Sequence, residues 1–257
     1  MSSSGHLVIV RELLHVEEAL LSFDVLMHLG TLISVFLVFR EDVRALINAT
    51  VGIVVDIFHG VCIRSAISKD DYRKMAIFIV IASVPAAIMG MVFKPLVYML
   101  FSSKLAVGIF LVATGTVLWL GEFLSRSRIK PADLTLRKAL SIGIAQGFAI
   151  APGFSRSGAT ISTGLSVGLR REDAARFSFL LSIPVILGAG ILELKDVDAL
   201  GFAAGSSFPI LLAFVTSIIS GYLAIRLVLT AVKRSKLTIF AVYTWVLGIS
   251  VIIWSVI

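Results

Sequence analysis

The chain has 257 residues, 58% hydrophobic and only 15% charged, with a mean hydropathy of +1.02. A soluble domain carries about one-quarter charged residues, so the composition excludes one and indicates an all-α, polytopic integral membrane protein. The net charge of +7 is spread over short segments between apolar runs, which reports topology and argues against nucleic acid as a partner.

The N-terminal Met1-Ser2-Ser3-Ser4-Gly5-His6 has no basic n-region before an apolar core, so it does not read as a cleavable signal peptide. His6 is the candidate for proton transfer or nucleophilic attack, with the hydroxyls of Ser2 and Ser3 close in sequence. A lone histidine in an apolar protein is also often a hydrogen-bonded core residue. Glu17 and Glu18 lie in a polar stretch that a solvated face explains, and His15 reads as interfacial. His28, near Asp24, is a second-shell candidate for which helix packing is the simpler reading.

Apolar runs able to cross, or nearly cross, a hydrocarbon core that needs about 20 helical residues occur at Phe23–Phe39, Met75–Phe93, Leu105–Leu124, Phe177–Leu194, Phe208–Val232 and Leu237–Ile257. Six spans are expected. Ala45–Ile63 is interrupted by Asn48, Asp56 and His59 and is expected to lie at the interface. The single Cys62 excludes an internal disulfide and offers no metal cluster.

Arg40, Arg44, Arg64, Lys69, Arg73 and Lys74 separate the first two spans. Arg126, Arg128, Lys130, Arg137 and Lys138 follow the third, and Lys233, Arg234 and Lys236 precede the last. If these segments are cytoplasmic, the spans alternate without conflict and both termini face out. Ala139–Leu169 then lies between two basic segments on one side, so it is expected to be re-entrant. Gly147, Pro152, Gly153 and Gly158 break it near its middle, where non-helical backbone is tolerated only beside protein or a water-filled cavity.

That break holds Pro152-Gly153-Phe154-Ser155-Arg156-Ser157-Gly158-Ala159-Thr160. An intramembrane arginine marks a site for an anion or a partner charge. Ser155, Ser157 and Gly158 fall where a half-helix would begin, with free N–H groups and the positive dipole end facing the break. Arg156 adds a planar fork suited to two phosphate oxygens. Thr160 could bond phosphate or bond back to a carbonyl, and Gln146 could satisfy freed backbone or touch the ligand. Against this stands a packing reading, with small residues allowing close helices and Arg156 snorkelling. Its central position in the apolar segment disfavours that alternative.

Ser155-Arg156-Ser157-Gly158-Ala159 echoes Ser2-Ser3-Ser4-Gly5-His6. Each is followed by an apolar stretch, a charged patch and a span beginning with Phe. Two broken segments in corresponding positions point to an inverted-repeat bundle within a single domain, 1–257, with halves of about 1–124 and 125–257. A transporter or lipid flippase would share that architecture. No Gly-x-x-x-x-Gly-Lys loop supports a nucleotide-driven pump.

Together, Ser-Ser-Ser-Gly-His and Pro-Gly-Phe-Ser-Arg-Ser-Gly-Ala-Thr resemble the undecaprenyl-diphosphate phosphatase family associated with bacitracin resistance. The resemblance implies two re-entrant hairpins meeting at a mid-membrane cavity that opens to the outer face of the plasma membrane. It implies hydrolysis of a polyprenyl diphosphate to the monophosphate carrier. Arg156 would hold the diphosphate, Ser155, Ser157, Gly158 and Thr160 would line its site, and Ser2, Ser3 and His6 would form the catalytic motif. Within that motif, Ser3 is expected as nucleophile and His6 as base, with a catalytically impaired lipid-binding relative as the alternative. A divalent cation, Mg²⁺ or Ca²⁺, is the implied cofactor, and a homodimer is the assembly to test. The family places two glutamates in a helix just before the serine motif. Here Met1 directly precedes Ser2, so an upstream translation start is expected.

Overall fold

The structure is a computed structural model that describes residues 2–13, 21–125, 129–193 and 207–256. His15, Glu17, Glu18, Arg126, Arg128 and residues 194–206 lie outside the described residues, as do the side chains of Asp24 and Glu193. Twelve α-helices are described: α1 Ser3–Leu13, α2 Leu21–Val38, α3 Arg40–Phe58, α4 Ile63–Ser68, α5 Asp71–Val92, α6 Lys94–Phe101, α7 Lys104–Phe123, α8 Leu136–Phe148, α9 Arg156–Ser166, α10 Arg171–Glu193, α11 Ser207–Lys233 and α12 Leu237–Val256.

The helix starts are written in the sequence as short polar residues whose side chains accept from the N–H groups that have no partner in a first turn. Asp70 accepts from Tyr72 N, Ser103 from Ala106 N and Thr135 from Lys138 N. Among the described residues five helices are long and apolar enough to cross a membrane: α5, α7, α10, α11 and α12. The remaining expected span falls on α2, an 18-residue helix whose described apolar stretch runs from Val25 to Val38. The polar interruptions of α3 keep it out of the set of five.

α10 is the central helix. Half of its most apolar window is buried, against 17% for α11, and its Phe177, Leu180 and Leu181 are enclosed by Leu32 and Val35 of α2, Ile142 of α8, and Ile161 and Leu165 of α9. On α11 the exposed residues Leu212, Val215, Ile219, Leu223 and Leu227 recur every three or four positions, the pattern of a helix presenting one face to lipid.

The 139–169 segment forms two half-length helices, α8 and α9, of 13 and 11 residues. At 1.5 Å per residue these reach about 20 and 16 Å, short of a full crossing. The hairpin returns to its starting side. Ile129 N donates to Gly168 O at 2.9 Å and Arg170 N to Ile129 O at 3.0 Å, so the chain before α8 is paired with the chain after α9.

The same end of the bundle gathers the ion pairs. Arg176 pairs with Asp42 and donates to the Tyr72 hydroxyl, Arg171 meets Glu122 at 2.7 Å, and Asp56 is held by Arg73 and by Lys69 at 2.8 Å. A cavity of about 250 Å³ opens there among Asp71, Tyr72, Lys130, Arg170, Asp173 and Arg176.

α7 and α12 meet through glycine. A Cβ on Gly248 would stand 2.8 Å from Gly108 O, and one on Gly108 would stand 3.1 Å from Gly248 O. Gly248→Leu is therefore expected to destabilise the protein by about 1–3 kcal/mol through overpacking, read as a lowered unfolding midpoint in detergent. Gly188→Ala, where an added Cβ meets nothing within 4 Å, is the control, with stability expected unchanged or raised.

Candidate active site

Two helix starts meet at mid-bundle, and each carries the same cap. Gly5 N donates to Ser2 Oγ at 3.2 Å at the start of α1, and Gly158 N donates to Ser155 Oγ at 3.1 Å at the start of α9. Both N-termini thus present their positive ends to the junction. The α1 start touches the hairpin tip directly: Gly153 N donates to Ser4 Oγ at 3.4 Å, and a Cβ on Gly5 would lie 3.0 Å from Gly153 Cα. Gly153 has φ +90°, and its added Cβ would lie 2.5 Å from Val107 O. Both its conformation and its space require glycine.

The tip of the hairpin is fastened by Thr114 of α7, which is 2% exposed. Its hydroxyl donates to Gly153 O at 3.0 Å and accepts from Ser155 N at 2.9 Å. One side chain thereby satisfies the two backbone groups that flank Phe154.

A cavity of about 350 Å³ lies over this junction. Ser2, Ser3 and Ser4 line it from the α1 start, Gln146 from α8, Ser155, Arg156 and Ser157 from the α9 start, and Ser178 and Ser182 from α10. α2 closes one wall with Val25, His28, Thr31 and Val35. Gln146 is 1% exposed, and neither side-chain polar atom has a hydrogen-bond partner. The Arg156 guanidinium has no hydrogen-bond or ion-pair partner among the described residues. An unpaired cation and an unsatisfied amide in one cavity are groups prepared for a polar ligand, because burial without a partner is costly.

The structure brings together most of the expected residues and sets others aside. Ser2, Ser3, Gln146, Ser155, Arg156 and Ser157 line the cavity. Gly158 serves through its N–H on the Ser155 cap. Thr160 does not line it: its hydroxyl donates back to Arg156 O at 2.9 Å and pairs with Ser178 Oγ. His6 is also outside the lining. Its Nδ1 lies 2.6 Å from Ser2 O and its Nε2 2.7 Å from the Tyr243 hydroxyl. A carbonyl only accepts, so Nδ1 carries the proton and neutral Nε2 accepts from Tyr243. Sequence reading missed Thr114 and Tyr243, which lie in apolar helices far along the chain from the motifs they serve.

The lining offers hydroxyls, an amide, an imidazole and a guanidinium, with no carboxylate among the described residues. No group of three or more His, Cys, Asp or Glu that could hold a metal ion occurs among the described residues. Mg²⁺ and Ca²⁺ take carboxylate and carbonyl oxygens, so the described lining does not by itself complete a site for either.

Comparison with known proteins gives a consistent result. The family model described as "Bacitracin resistance protein BacA" matches residues 1–250. A protein of Methanosphaera stadtmanae named undecaprenyl-diphosphatase is 42% identical over 258 residues, covering 100% of this chain and 92% of the relative. Proteins of the same name from Alkaliphilus metalliredigens and Desulforapulum autotrophicum are 39% and 42% identical, covering 99% and 98% of this chain and 92% and 91% of their own lengths.

Thr114→Val would strand Gly153 O and Ser155 N in a buried setting. It is expected to lower stability by about 1–3 kcal/mol, measured by unfolding in detergent, with Thr114→Ser recovering most of the loss.

Proposed function

The chain belongs to the BacA family, and on that premise we propose that the cavity is the active site of an undecaprenyl-diphosphatase, which hydrolyses undecaprenyl diphosphate to the monophosphate and phosphate. The observation that carries this reading is the unpaired Arg156 guanidinium at the start of α9, inside a cavity that two serine-capped helix N-termini also face. A diphosphate is the ligand class such a cradle suits: the guanidinium fork takes two oxygens and the helix ends favour the remaining negative charge.

In this multi-pass membrane protein Arg156 holds the diphosphate, with Ser155, Ser157 and Gln146 around it. Ser3, whose hydroxyl has no partner among the described residues, is the nucleophile. Its oxygen attacks the terminal phosphorus as its proton passes to His6 Nε2, the bond to the bridging oxygen breaks, and the electron pair leaves on the lipid monophosphate. Water then attacks the phosphorus, the Ser3 O–P bond breaks, and a proton returns to Ser3 as phosphate leaves. Ser2 and Ser4 fix the turn that presents Ser3. His6 holds the same turn through Ser2 O, and it becomes a base for Ser3 only by releasing Tyr243. Charge stabilisation by Arg156 is the largest contribution, since a preorganised cation in a low-dielectric site needs no reorganisation as the leaving oxygen gains charge. No step is assigned to a divalent cation.

The cavity is read as opening on the outer face of the cell membrane. Support comes from its lining, which on α10 starts at Ser178 and continues to Ala189, away from the basic end at Arg170 and Arg171. On α2 it likewise extends from Val35 back to Val25, away from Arg40. Basic segments mark the cytoplasmic side. Two repeats of opposite orientation, with halves near 1–124 and 125–257, are supported by the matched Ser2 and Ser155 caps.

The test is phosphate release from undecaprenyl diphosphate in detergent, with Mg²⁺ or Ca²⁺ present and again after chelation. Arg156→Ala is expected to lower turnover by about 10²–10³. Arg156→Lys, which keeps the charge but not the fork, should fall between. An Arg156→Ala protein that turns over like the parent would sink the reading.

A further inference from the structure

The wall of the cavity opposite the hairpin is built from α2, α10 and α11, and most of its polar groups are already committed. Ser178 is paired with Thr160, Ser182 Oγ donates to Phe179 O at 2.7 Å, and Thr31 Oγ1 donates to His28 O at 2.8 Å. α11 contributes Gly221, Ala224, Ile225 and Val228, without a donor side chain. His28 is the exception. It lines the cavity, neither ring nitrogen has a partner among the described residues, and neither is sealed from the cavity in the way the Gln146 amide is sealed from solvent.

Its placement is fixed by the helix. Val25, His28, Thr31 and Val35 are spaced by three, three and four residues, which puts them on one face of α2. The opposite side cannot rotate in. A Cβ on Gly30 would stand 1.9 Å from Ser217 Oγ and 3.1 Å from Phe214 O, and one on Gly221 would stand 2.9 Å from Ser34 Oγ. α2 and α11 are therefore locked in register, and His28 is held toward the cavity.

We propose that His28 is a substrate-contacting residue that donates a ring N–H to the lipid-proximal phosphate, while Arg156 and the α9 start hold the terminal one. The assignment rests on the undecaprenyl-diphosphatase reading. A diphosphate has more oxygens than one guanidinium fork can serve, and His28 supplies the uncommitted donor on the far wall. Toward the start of α2 and the end of α10 the lining is apolar, at Val25, Val185, Ile186 and Ala189, a surface that suits the prenyl chain, which then leaves along the wall that carries His28. The phosphate joined to that chain is then the nearer to the imidazole.

The experiment measures kinetics of phosphate release for His28→Leu and His28→Gln, with inhibition by undecaprenyl monophosphate and by inorganic phosphate. His28→Leu should raise KM and the monophosphate inhibition constant about tenfold, the weight of one hydrogen bond to a charged group, with kcat and inorganic phosphate inhibition little changed. His28→Gln retains an N–H donor and should stay within about threefold of the parent. The assignment is overturned if His28→Leu matches the parent, if it weakens inorganic phosphate equally, or if His28→Gln is as impaired as His28→Leu. Should the leucine variant fail to fold, carbethoxylation of His28 in the unaltered protein gives the same answer: undecaprenyl monophosphate must protect the ring, and unprotected modification refutes the contact. That readout needs no turnover. A parent that releases no phosphate therefore defeats the enzymatic reading separately from the His28 contact.

Discussion

Backbone amides at membrane depth have no water to bond, and each unsatisfied group costs several kcal/mol. The chain nevertheless starts two helices there, α1 and α9, and the rest of the structure accommodates them. Ser2 and Ser155 cap the new helix starts, Ser4 takes Gly153 N, and Thr114 takes both Gly153 O and Ser155 N. Helices can then approach these tips only where side chains are absent, as at Gly5 and Gly153. The bundle of spanning helices serves as the wall that keeps these short polar bonds dry.

With the backbone satisfied, the polar groups left over become meaningful. Arg156 and Gln146 lack partners in a structure that provides a partner for nearly every neighbouring hydroxyl. Filling those vacancies from the protein would remove the site. The groups that hold the hairpin tip and the groups left open to the cavity are thus separate residues: Thr114 and the caps hold the tip, and Arg156 faces the cavity.

What the sequence made legible was local. The Pro-Gly break, the serine at a helix start and the arginine beside it lie within nine residues, so their chemistry could be read without knowing any distant contact. The re-entrant path was legible from two basic segments that had to share a side, and the Ile129–Leu169 pairing bears it out. Thr114 and Tyr243 were not legible, because a threonine or tyrosine in an apolar helix carries no mark of a partner 39 or 237 positions away. For Thr160 the sequence left two partners open, phosphate or a backbone carbonyl, and its hydroxyl donates back along α9 to Arg156 O and meets Ser178.

α10 lines both cavities, with Arg176 on one and Ser178 on the other, and between them stands Phe177, which is 1% exposed. Two water-accessible spaces so close along one helix leave a thin hydrophobic septum. A membrane voltage falls mainly across the thinnest insulating layer, so the electric field would be focused around Phe177 rather than spread over the whole bilayer. A full crossing is worth about 2.3 kcal/mol per charge per 100 mV. An anion bound at Arg156, in the cavity on one side of that septum, would cross little of the drop, so its occupancy would respond only weakly to the membrane voltage.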